Sequence, residues 1–163
     1  MSFMPNTLYD VIAETWPAAK LHRAGQWTIR DGQGGGKRVS AATADGSVQP
    51  IDIQQAESAM QELGQRPLFM LRDGEADLDA LLANAGYEMI DPTNLYQAPI
   101  ANIATQRPPR TSMFCIWEPL QIQYDIWAAG GITRPRLSIM QRTTAKKTSL
   151  FGRWNNRPAA IGF

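Results

Sequence analysis

Pro67-Leu68-Phe69-Met70-Leu71-Arg72-Asp73-Gly74-Glu75-Ala76-Asp77-Leu78-Asp79-Ala80-Leu81-Leu82-Ala83-Asn84-Ala85-Gly86-Tyr87 is the most legible stretch of the chain. Its first five residues are an apolar run of strand length, and Asp73-Gly74 is turn chemistry. Leu78, Leu81, Leu82 and Ala85 then recur at i, i+3, i+4 and i+7, so they share one face of a helix. Asp73 or Glu75 stands near the helix start, and Gly86 stands where a helix needs a left-handed residue to stop. A second extended segment continues to Tyr96. The spacing predicts a strand, helix, strand unit around which the rest of the chain is built.

Upstream, Asn6 or Thr7 is placed to cap a first helix carrying Leu8, Val11, Ile12 and Trp16, which Pro17 ends. Trp27 to Arg30 reads as a strand, Asp31 to Gly36 as a turn, and Lys37 to Ala44 as the strand that completes a hairpin. Asp52 and Gln55 have capping-box spacing before a helix with Ile53, Ala56, Met60 and Leu63 on one face and a stop at Gly64.

Downstream, the polar stretch Asn102 to Arg110 contains Arg107-Pro108-Pro109-Arg110 and has little apolar surface to bury, which marks a linker over 101–110 between a half spanning 1–100 and one spanning 111–163. The second half opens with a strand over Thr111 to Trp117. A helix carrying Leu120, Tyr124 and Trp127 follows, stopping at Gly130-Gly131. Next comes a helix capped by Thr133 with Leu137 and Met140. Lys147 to Trp154 and Ala159 to Phe163 read as two strands joined at Asn155-Asn156-Arg157-Pro158. The order of elements gives an α/β (α+β) fold class.

With 163 residues, 44% of them apolar, the chain can bury a core of its own. A formal charge of +1, with the basic residues scattered, argues against nucleic acid or an anionic membrane as partner. No apolar run approaches the ~20 residues of a membrane span, and Met1 to Asn6 has no signal-peptide character, which predicts a cytoplasmic protein.

Chemistry-bearing residues are sparse. The glycine run at Gly34, Gly35 and Gly36, followed by Lys37 and Arg38, brings backbone amides and two cations together and is the candidate anion or cofactor-binding segment. The same run also reads as a mobile hairpin loop with solvated basic residues. His22 is the lone histidine and so the lone side chain titrating near neutrality, without a partner nearby in sequence. Cys115, the single cysteine, sits in the apolar run Met113 to Trp117 and reads as a buried small hydrophobe. Glu75, Asp77 and Asp79 either attract a cationic amine or complement the dipole of the helix they open. Trp117, Tyr124, Trp127 and Trp154 read as core before they read as a cleft. No pattern identifies a catalytic residue, and so few ligand-type residues disfavour a metal site.

Leu81-Leu82-Ala83-Asn84-Ala85-Gly86-Tyr87-Glu88, following the strand Leu68 to Leu71, resembles the late part of the GNAT superfamily of acyl-CoA-dependent N-acyltransferases, where a helix ending in Gly-Phe or Gly-Tyr feeds the final strands. The second half resembles the opening of the same fold: a strand, two successive helices, then a hairpin. The resemblance implies a GNAT-like mixed, largely antiparallel sheet flanked by helices, with a partial second GNAT-like half. It implies acetyl transfer from acetyl-CoA, as co-substrate, to an amine on a small molecule or peptide. The alternative is a non-catalytic GNAT-like binding or scaffold module. The family holds the pyrophosphate of acetyl-CoA with a loop of the pattern Gln/Arg-x-x-Gly-x-Gly/Ala at a helix N-terminus. The nearest approach here is Gln33 to Arg38, with Arg38 where the pattern has Gly or Ala and a predicted strand where it has a helix. In the family the strand Ala159 to Phe163 is flanked by a further strand that this sequence does not contain, which leads to the expectation that the native chain continues past Phe163, or that its last strand pairs edge to edge in a homodimer.

Overall fold

The computed structural model describes residues 5–155 and 157–163. The chain is mixed α and β with antiparallel sheets, and divides into two compact units, Met1–Pro92 and Thr93–Phe163. No helix among the described residues is long and apolar enough to cross a membrane.

The first unit opens with α1 (Pro5–Thr15), whose first residue is the proline that suits a helix N-terminus, so Asn6 and Thr7 lie within it rather than capping it. Two strands follow, β1 (Lys20–Ala24) and β2 (Trp27–Asp31), paired antiparallel from Lys20↔Asp31 to Ala24↔Trp27. β1 carries no alternation of burial, since four of its five residues are exposed, so nothing in its sequence announces a strand. The expected strand over Lys37 to Ala44 is mostly something else. Lys37–Val39 is a turn of 3-10 helix and only Thr43–Ala44 forms β3, paired with β2.

α2 (Pro50–Glu62) buries Ile53, Ala56 and Met60 as the spacing predicts. Its cap lies three residues earlier than expected: the Gln49 backbone N–H donates to the Asp52 carboxylate at 2.8 Å, so Asp52 closes the first turn instead of opening it. The Trp27 indole N–H donates to the Asp52 carbonyl at 2.8 Å and ties this end of α2 to β2.

The segment Pro67–Leu71 is the margin of the sheet rather than its centre. It runs parallel to the start of β3 through a bridge between Ala42 and Phe69, with Ala42 N–H donating to Leu68 O and Met70 N–H to Ala42 O, each at 2.8 Å. α3 (Ala76–Asn84) follows and buries Leu78 and Leu82, while Ala85 is exposed beyond its end. Gly86 stops it at φ 89°, a conformation that costs an L-residue about 1–2 kcal/mol. The extended segment expected after Gly86 joins no sheet among the described residues: residues 88–99 belong to no strand and are exposed. The core gathers Trp27 and Ile29 from β2, Ala42 and Ala44, the apolar face of α2, and Leu78 and Leu82 of α3. Phe69 links two aromatic neighbours across it, 4.8 Å from Trp27 and 5.0 Å from Tyr87 between ring centroids.

From Met113 onward the second unit follows the predicted order; the short helix before it was not expected. After a short α4 (Ile100–Ile103) come β4 (Met113–Ile116), α5 (Gln121–Ala129), α6 (Arg134–Arg142), β5 (Ser149–Trp154) and β6 (Arg157–Gly162). The sheet order is β4-β5-β6, antiparallel throughout, with a register shift at Gly152/Arg153. Trp127, Ile139 and Met140 are buried, and Gln123 is fully buried among them. The Gln123 amide oxygen accepts from Leu120 N–H at 2.8 Å, and its amide N–H donates to Leu150 O at 3.1 Å, so one side chain closes the first turn of α5 and fastens it to β5. Cys115 is exposed on β4, not buried as expected, because it faces the side of the sheet shared with Leu150 and Met113, both also exposed. Trp117 is 38% exposed, Tyr124 is half-buried, and only Trp127 of the three is core; the Trp154 side chain lies outside the described residues.

Candidate functional site

The glycine segment predicted to hold an anion lies in the first unit, between β2 and the 3-10 turn. Gln33, Gly34 and Gly36 have φ of 47°, 78° and 106°, so the chain coils tightly there. The coil is built on a close approach at Gly32, where a Cβ would meet Ser40 Oγ at 2.0 Å and the Val39 carbonyl at 2.9 Å. Most of its donors are used internally. Gly32 N–H donates to Gln65 Oε1 at 2.7 Å, Gln33 N–H to the Asp31 carboxylate at 3.2 Å, and Gly35 N–H to Gly32 O at 2.8 Å. Lys37 is paired with Asp91 at 2.5 Å, both side chains well exposed, and Arg38 is exposed. Gly34, Gly35, Gly36, Lys37 and Arg38 thus lie in a loop whose neighbouring carboxylates are already engaged, Asp31 by Gln33 and Asp91 by Lys37.

His22 stands exposed in β1 opposite Ile29, with no carboxylate hydrogen-bonded to it among the described residues. Of the acidic residues opening α3, Glu75 is held by Arg72: its carboxylate accepts from the Arg72 backbone N–H at 2.7 Å and from Arg72 Nε at 2.8 Å. Asp77 and Asp79 lie in the first turn of α3, where they complement its dipole.

The densest polar constellation was not legible in the sequence, because strand pairing assembles it from residues far apart. On β2, Trp27 and Ile29 face the core, which turns Thr28 and Arg30 to the opposite face of the sheet. Arg30 Nη1 donates to Ala41 O at 2.9 Å and to Thr43 Oγ1 at 3.1 Å. Its own carbonyl accepts from Gln65 Nε2 at 2.8 Å, so backbone and side chain are both fixed. Arg72 donates from Nη2 to Ala44 O, one residue further along β3. Asp45 accepts from Thr28 Oγ1 at 2.7 Å and pairs with Arg23 at 2.5 Å. Arg23 and Arg72 are thus each paired with a carboxylate, Asp45 and Glu75, whereas among the described residues Arg30 has only neutral acceptors. Partial burial and the neighbouring Arg72 charge lower the Arg30 pKa, while Asp45 partly offsets them.

A second arginine stands apart. Arg142, at the end of α6 in the second unit, has Nε and Nη2 buried with no hydrogen-bond partner among the described residues. In the first unit, the Tyr87 hydroxyl donates to the Glu57 carboxylate, and burial together with that bond raises its pKa.

Comparison with protein-family models, with curated proteins and with solved structures returns no match.

Proposed function

We propose that these residues belong to an acyl-CoA-dependent N-acyltransferase of the GNAT class, which moves an acetyl group from acetyl-CoA to an amine on a small molecule or peptide. The observation that carries this reading is the second unit: β4, α5, α6, β5, β6 in chain order, with sheet order β4-β5-β6, is the strand, helix pair and hairpin with which that fold opens. The α3 end at Gly86-Tyr87 agrees with it in the first unit. In the reaction the amine lone pair attacks the thioester carbonyl carbon and forms the C–N bond. The tetrahedral intermediate collapses with loss of the C–S bond, and the thiolate leaves as the amine gives up its proton. The protein's part in such chemistry is positioning and stabilisation of the oxyanion. These 163 residues supply sheet and helix scaffold to it.

A second reading, a GNAT-like binding or scaffold module, is favoured by the glycine loop, whose Gly32, Gln33 and Gly35 amides are already bonded within the protein. A thiol-release assay on the native polypeptide containing these residues separates the two. The acyltransferase reading expects release of the coenzyme thiol from acetyl-CoA that depends on added amine across a panel of polyamines, amino acids and peptides. Release at the rate of the uncatalysed reaction with every amine decides for the scaffold module.

A further inference from the structure

Arg30 has five N–H donors, and among the described residues only those on Nη1 are used, toward Ala41 O and Thr43 Oγ1. Its Nε and Nη2 donors have no partner among the described residues, and unlike those of Arg142 they are not sealed from water. These two N–H groups lie side by side on one edge of the guanidinium and point the same way, the geometry that receives two oxygens of one carboxylate. The edge is held in place by what the other side of the group does. Thr43 is 4% exposed and Ala41 is buried, so Nη1 is anchored to rigid strand, and Gln65 fixes the Arg30 backbone. A guanidinium held this way has already given up the rotamer freedom that ligand binding would otherwise have to remove.

The charge around the fork sets what it accepts. Arg72 is the nearest cation and is neutralised by Glu75; Arg23 is neutralised by Asp45. One positive charge remains, on Arg30, with the Asp45 carboxylate acting on it. A monoanion balances that charge, whereas a phosphate dianion would meet Asp45 with a charge to spare.

We propose that Arg30, backed by Arg72 and anchored through Thr43, is a binding site for the carboxylate of a small molecule. The site is independent of the acyltransferase reading, since it uses no cofactor and none of the glycine loop.

The test observes the fork directly. In protein labelled with 15N-arginine, the Arg30 Nε–H resonance is followed while benzoate, acetate or inorganic phosphate is added at constant ionic strength. The expected result is a saturable shift of Arg30 Nε–H with the two carboxylates at concentrations up to about 10 mM. Arg30→Lys, which keeps the charge and loses the fork, should weaken benzoate binding, read from backbone amide shifts of β2 and β3, by at least about tenfold. Arg38→Ala, in the glycine loop, should leave it unchanged. No saturable shift in the wild-type protein overturns the proposal, as does an equal shift with phosphate, which would mean attraction of any anion. The wild-type titration stands by itself if the lysine variant fails to fold.

Discussion

Tyr87 shows how one residue after a helix stop joins three parts of the first unit. Its ring packs edge-on to Phe69 at 88°, and its hydroxyl reaches Glu57 on α2. Burial and the carboxylate both favour the neutral phenol, so its pKa in the folded protein lies above the ordinary value of about 10. A raised pKa contributes stability that is fully present below that ordinary value and is lost as pH climbs through the folded one. Urea midpoints should therefore fall as pH rises beyond about 10. Tyr87→Phe should cost about 1 kcal/mol at neutral pH and flatten the alkaline fall. An unchanged alkaline slope in the variant would assign that loss to other groups.

Among the elements, α3 was readable because four apolar residues at helical spacing meet a glycine stop, and the structure grades that face. Leu82 is 4% exposed and Leu78 9%, whereas Leu81 is half-buried at the margin of the core. Leu82→Ala should cost about 2–5 kcal/mol, and Leu81→Ala about 1–2 kcal/mol, by denaturant midpoint. Equal losses would mean α3 is rotated from the position described. Several elements of the second unit were legible for the same reason: α5 stops at Gly130-Gly131, and Asn155 follows β5. Two readings in the first unit failed on identifiable physics. Lys37 to Ala44 reads as a strand between the glycine turn and Asp45-Gly46, but the tight coil at Gly32 to Gly36 delivers the chain into a 3-10 turn, with Ser40 and Ala41 N–H both donating to Lys37 O. Lys20-Leu21-His22-Arg23-Ala24 becomes a strand through pairing with β2, a tertiary effect that leaves no pattern in its own residues.

At the scale of the molecule, the two units differ in what they show. The second is an ordered run of strand, two helices and two strands; the first holds the glycine loop and the arginine cluster. Among the described residues, His22 and the run Gly34 to Arg38, both conspicuous in the sequence, share no hydrogen bond or ion pair. Arg23, Arg30 and Arg72 were inconspicuous and meet because β1, β2, β3 and the segment after Phe69 lie side by side. No spacing rule applies to residues joined by sheet register, which is why that site was invisible before the fold.

We propose that this chain carries acyltransferase scaffold; its glycine loop is structural, with the Gly32, Gln33 and Gly35 amides and Lys37 engaged by the protein itself. Calorimetric titration of the 163-residue chain with acetyl-CoA tests it most directly. The predicted result is no binding tighter than about millimolar, a free energy near −4 kcal/mol. Micromolar binding that disappears when Lys37 and Arg38 are changed to Ala would contradict the claim and make the loop a cofactor site.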